Sequence, residues 1–181
     1  MTPLDVLKKV TEYTERHIAP LLLMRVFKDV DDIRDNEEDF PEYVHPAVCY
    51  GSIPHKNFQQ LNFQVPIIVW DCDQVDDGGD YTEGRTLTLR AYVGAYSSEI
   101  YAEDTKLPDN KAFEDLFNAL EKIYIELSRK NCINGVGLRK PIQYGKYDGA
   151  YYPFAYGWLT VAAEIPRMQY DDEIDLNELF K

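Results

Sequence analysis

The chain holds little of what enzyme or secretion signatures require. Its 181 residues include only three cysteines, Cys49, Cys72 and Cys132, and no two of them are closely spaced. An odd, scattered set does not read as a disulfide framework, and it points to reduced thiols and folding in the cytoplasm. Basic residues are scarce: 19 Lys plus Arg stand against 32 Asp plus Glu, a formal charge of −13. Affinity for nucleic acid rests on cations that displace phosphate counterions, so this balance disfavours DNA and RNA as partners, and anionic membrane surfaces with them. Long apolar runs are absent as well, and no apolar stretch follows a basic start at the N-terminus. The expectation is neither a transmembrane helix nor a secretion signal.

Motifs of chemistry are missing too. There is no Walker-type phosphate loop, and Gly135-Val136-Gly137 follows a helical pattern where a dinucleotide fingerprint must follow a strand, so it reads as a turn. No Gly-x-Ser-x-Gly elbow occurs. Metal-ligand types come close together only at His45, Cys49 and His55. Zinc usually takes four ligands in paired spacings, and no fourth is in place. Cys49 with His45 as base is the nucleophile reading of the same residues, and a half-buried strand cysteine is the ordinary one. Asp29 with Asp31, and Asp71 with Asp73, match the first ligand positions of a calcium loop but lack its glycine and terminal glutamate. They read as solvated loops. The expectation is a protein that is not an enzyme and uses no cofactor or metal.

What the chain does have is pattern. Residues 86–96 alternate strictly, with Leu87, Leu89, Ala91, Val93 and Ala95 on one side and Thr86, Thr88, Arg90, Tyr92 and Gly94 on the other. That period of two predicts a strand with one buried face. Upstream, VPIIVW at 65–70 is β-branched enough for a strand covered on both faces. The acidic stretch 71–84 joins the two, predicting an antiparallel pair. Downstream, Phe113, Leu116, Phe117, Leu120, Ile123, Tyr124 and Leu127 share one face of a helix over 111–129. Thr2, Pro3 and Asp5 open an N-terminal helix whose modest apolar face holds Leu4, Leu7, Thr11, Thr14 and Ile18, and Pro20 stops it. Residues 21–27 read as an interior strand, 47–53 as a short one and 156–165 as a strand rich in aromatic and β-branched residues. Residues 134–137 read as a turn.

The whole, 1–181, is read as one α+β domain: a mostly antiparallel mixed sheet flanked by two helices, with an acidic loop at 29–42 and an acidic tail at 167–181. That length suffices for one core. Arg90, mid-strand and opposite the buried face, reads either as a surface arginine or as a partner-facing ion pair, since arginine is enriched at interfaces. The 14 tyrosines lean the same way. Tyr92, an aromatic turn holding Tyr144, Tyr147 and Tyr151, and Leu176, Leu179 and Phe180 in the tail complete a candidate oligomer interface.

The order of these signals resembles a known family. It runs from an N-terminal helix through VPIIVW at 65–70 and GRTLTLRAYVG at 84–94 to the amphipathic helix, RKPI at 139–142 and YPFAYGW at 152–158. This is similar to the tail terminator (tail completion) proteins of long-tailed bacteriophages and prophages, over roughly 65–165. The acidic 29–42 segment and the tail exceed what compact members need. The resemblance implies a small α+β virion assembly protein that forms a ring, a hexamer in the family, capping the finished tail tube and offering the surface for head–tail joining. Self-association, the tube protein and a neck or head-completion protein are the implied partners. The implied location is the virion, with the host cytoplasm during assembly. Neighbouring neck proteins are small α+β folds too, so a head-completion role is the alternative. An acidic DNA mimic is a further one, though it would need acids spaced along one face, whereas these crowd into two loops and a tail.

Overall fold

A computed structural model gives the fold and describes residues 1–26, 43–51, 65–76, 84–96, 110–148 and 154–165. The loop expected at 29–42 and the tail at 167–181 lie outside these residues.

Helix α1 spans Pro3–Tyr13 and starts where the sequence places it. The Thr2 hydroxyl accepts the Asp5 N–H at 3.2 Å, and the Asp5 carboxylate takes the Thr2 N–H at 2.8 Å. Each satisfies a donor that the first turn leaves open, and the bonds from Thr2 hold the Asp5 carboxyl below its usual pKa. The buried face is Val6, Leu7, Val10, Thr11 and Tyr13. Leu4, expected on that face, is half exposed. Beyond Tyr13 the helix widens into a π turn, Thr14–Ile18, then tightens into a 3-10 turn, Ala19–Leu21. Buried Thr14 donates its hydroxyl to the Val10 carbonyl at 2.9 Å and accepts the Trp70 indole N–H at 2.9 Å. Thr14→Val should therefore cost about 1–2 kcal/mol, because it leaves a buried indole N–H without its acceptor. Urea melts read this directly, and an unchanged midpoint would show that the bond contributes nothing.

The strand expected at 21–27 is a correction. Among the described residues of that stretch only Met24–Arg25 (β1) is a paired strand, against Tyr43–Val44 (β2), while Leu21 belongs to the 3-10 turn. Leu22 and Met24 are buried, but Leu21 and Leu23 are 52% and 64% exposed. In a run where every residue is apolar, the period that separates inside from outside cannot be read.

The main sheet has six strands in the order β3-β4-β5-β8-β7-β6: Ala47–Tyr50, Ile67–Asp76, Arg85–Tyr96, Phe154–Ile165, Val136–Lys146 and Cys132–Ile133. Only β3–β4 is parallel, so the sheet is mixed and mostly antiparallel, and with its two helices it makes an α+β fold. β4 and β5 pair antiparallel as expected, and Ile67, Ile68, Val69 and Trp70 are all buried. The connection is shorter than 71–84, because β4 runs on through Asp76. Leu87, Leu89, Ala91, Val93 and Ala95 of β5 all face one apolar cluster. Val6, Leu7 and Val10 of α1 join it, as do Leu116, Ala119, Leu120, Ile123 and Leu127 of the second helix, α2 (Lys111–Ser128). Phe113, expected on the buried stripe, is 39% exposed, with Lys146 over its ring at 5.3 Å. α2 presses closely on β8 at Gly157, where an added Cβ would stand 2.8 Å from Leu120 Cδ1 and 2.9 Å from the Gly145 carbonyl.

The turn expected at 134–137 is a tight hairpin. Asn134 and Gly135 both take positive φ, 47° and 78°, between the paired Ile133 and Val136. β7 then runs unbroken through Pro141, with its register shifting between Arg139 and Gln143. Proline offers no N–H to a ladder, and among the described residues only β6, at its start, pairs the other edge of β7.

Candidate interaction surface

Two faces of the sheet carry the candidate residues. Tyr144 lies opposite Leu159, hence on the helix-covered face, and its hydroxyl donates to the Glu121 carboxylate of α2. Its ring also meets Tyr124 of α2 at 5.5 Å. Tyr144 is thus a strand residue that ties β7 to α2, not part of an outward aromatic turn. Arg90 and Tyr92 lie on the opposite face, and Tyr147, just past β7, joins them there. Tyr151, Leu179 and Phe180 lie outside the described residues.

Tyr92 is a second correction. Expected on an exposed face, it is only 4% exposed, packed with Ile67 and Val69 and covered by Tyr147. The two rings stack at 6.1 Å with 9° between their planes. Arg90 beside them forms an ion pair with Asp73, and the two side chains are 30% and 25% exposed. The pairing depends on a bulge. Cys72 sits opposite Leu89 and Gln74 opposite Thr88, so Asp73 is the extra residue of β4. A bulge re-aims the side chain it inserts, and here it brings a carboxylate to the guanidinium. The alternation of β5 places Arg90 on this face, but nothing in the acidic run 71–76 distinguishes Asp73 from its neighbours.

Burial works against the Arg90 charge, yet Asp73 and the Tyr92 and Tyr147 hydroxyls outweigh it and hold the guanidinium pKa above its ordinary value. For Tyr147 burial dominates, with Tyr92 adding to it and Arg90 pulling the other way, and the phenol is pushed up to about 12. A pKa raised on folding favours the protonated form. The associated stability is complete below pH ~10, the unfolded tyrosine value, and drains as pH rises towards 12. Tyr147→Phe should accordingly lose less stability between pH 10 and 12 than the parent chain does. Denaturant melts across that range test it, and parallel losses would mean that Tyr147 titrates unperturbed.

The thiol and metal readings find no support in the geometry. The His45 Nδ1–H donates to the Leu22 carbonyl at 2.7 Å, a bond that ties β2 and β3 to the segment after α1. Cys49 is exposed on β3, not half-buried as expected. Its surroundings still desolvate it enough to raise the thiol pKa, the reverse of what a nucleophile needs. His55 lies outside the described residues. Asp73 is engaged by Arg90, and Asp71 accepts the Cys72 N–H at 2.8 Å. Among the described residues no group of three His, Cys, Asp or Glu is placed to hold a metal ion. No helix among them is long and apolar enough to cross a membrane.

One further surface escaped the sequence. The segment Leu21, Leu22, Leu23 and Met24 lies along α2 and encloses a groove of about 360 Å³ with Asp115, Asn118, Ala119, Glu121, Lys122 and Ile125. Arg25 clips one end: it is 3.2 Å from Asp115, donates to the Tyr43 hydroxyl at 3.1 Å and lies over that ring.

No protein-family model matches this chain, and no curated protein sequence does.

Proposed function

We propose that the chain is a structural assembly protein of a long-tailed phage or prophage, one that caps the tail tube as a ring and presents the surface for head–tail joining. The observation that carries this reading is the order of elements. An N-terminal helix, the β4–β5 hairpin, amphipathic α2 and the returning strands β7 and β8 follow the order of signals on which the tail-terminator resemblance rests. Both helices pack on one face of the sheet. The work in such a protein is done by its interfaces and needs no reaction. The chain's −13 charge suits subunits around a channel that passes DNA, because like charge repels the phosphate backbone. The same charge makes free subunits repel one another, and screening within about 8 Å at physiological salt relieves that repulsion.

Light scattering and negative-stain microscopy across salt and protein concentration, with and without purified tail tubes, test the proposal. The expected result is rings promoted by salt or concentration, or caps on the ends of tubes. A strict monomer that neither rings nor caps tubes would overturn it.

A further inference from the structure

Isolated exposed leucines are ordinary on a protein surface. Leu21 and Leu23, at 52% and 64% exposure, are different because they rim a concave apolar floor. Leu22, Met24 and Ala119 are buried in that floor, and Ile125 of α2 extends it. Such a trough between a backbone segment and a helix suits a short amphipathic segment that lays a few apolar anchors into it. Asp115 is paired with Arg25, and Glu121, which accepts the Tyr144 hydroxyl, keeps its charge beside Lys122, so the groove presents both signs and no net charge. Its apolar floor is therefore what selects an occupant, a short segment with a few apolar anchors.

This chain carries one. Residues 171–181 place Leu176, Leu179 and Phe180 at the i, i+3, i+4 spacing of groove-binding anchors, among five carboxylates. Leu176 follows Ile165, the last residue of β8, by eleven positions. That length spans up to about 36 Å when extended, more than the roughly 30 Å breadth of a small domain, so it is long enough to leave one subunit and reach the next.

We propose that the groove between Leu21–Met24 and α2 receives Leu176, Leu179 and Phe180 of an adjacent copy of this chain. The inference rests on the ring reading and supplies what a ring requires, an interface in which one patch meets a different patch on the neighbour. Anchors and groove come from different residues of the chain, so in such a ring every copy donates one and accepts one.

Two full-length variants test it. Leu21→Glu/Leu23→Glu spoils the groove, and Leu179→Glu/Phe180→Glu spoils the anchors. Both changes are confined to exposed or tail positions, and circular dichroism checks that each variant folds. Each alone should associate about tenfold or more weakly than the parent chain. Mixed, the two should form a one-to-one heterodimer, because one still owns a sound groove and the other sound anchors. Assembly of the parent with no effect of either variant would overturn the groove while leaving the ring reading intact. Failure of the mixture to pair would do the same. A parent chain that never associates, even on tubes, would remove the ring reading itself and this inference with it.

Discussion

Leu89→Ala should lower the free energy of unfolding by about 2–5 kcal/mol, from lost transfer energy plus the cavity left behind. Thr88→Ala, one residue away, should stay within about 0.5 kcal/mol. The contrast follows from where β5 sits. It is flanked by β4 and β8, with Leu89 opposite Cys72 on one side and Val161 on the other. Its side chain is fully buried in the cluster that both helices share. Thr88 points to the other face and keeps partial exposure. A strand between two others has little freedom to collapse around a void, which favours the upper part of the range. Urea melts of the two variants give the comparison. Equal, small losses would mean that Leu89 is not the centre of the fold.

This contrast was legible in the sequence because β5 obeys a single rule. Five apolar residues alternate with five others, and tertiary structure follows the alternation. α2 and the start of α1 were legible for similar reasons, a 3.6-residue stripe in one and a reciprocal cap in the other. Residues 21–24 were not. Four apolar residues in a row carry no phase, so nothing told Leu21 and Leu23 from Leu22 and Met24. Burial there is decided by the path of the backbone after Pro20 and by where α2 lies, both long-range facts.

The exposure of Tyr92 and the placement of Tyr144 were misread for a different reason. The alternation places Arg90 and Tyr92 together and away from the helices, which is correct. It does not say that the far face is solvent. Tyr147, 55 residues later in the chain, returns along β7 to lie over Tyr92, and periodicity within one strand contains no trace of that contact. Tyr144 shows the converse. Three residues before Tyr147, it falls on the opposite face because β7 is still a regular strand there, and it is held by Glu121. An aromatic cluster in sequence is thus divided between two faces in space.

That division changes what a charge reversal at Arg90 reports. Arg90→Glu would set a carboxylate against Asp73, beside the closely packed Tyr92 and Tyr147. We expect the subunit itself to lose about 2–3 kcal/mol, below the roughly 3–5 kcal/mol of a fully buried pair because both side chains remain partly hydrated. Arg90→Met should lose less, since it leaves Asp73 unpaired without adding a repulsion and keeps an apolar stem against the tyrosines. Adding Asp73→Asn to Arg90→Met should lose less than the sum of the two single changes, because the partners share one interaction and their costs do not add. Melts of the four variants, run at a concentration where the parent chain is monomeric, separate this from assembly. If Arg90→Glu melts with the parent chain yet fails to form rings, Arg90 faces the neighbouring subunit and its pairing with Asp73 is incidental. If it melts early, weakened assembly follows from a weakened subunit, and the residues to test for contact lie elsewhere.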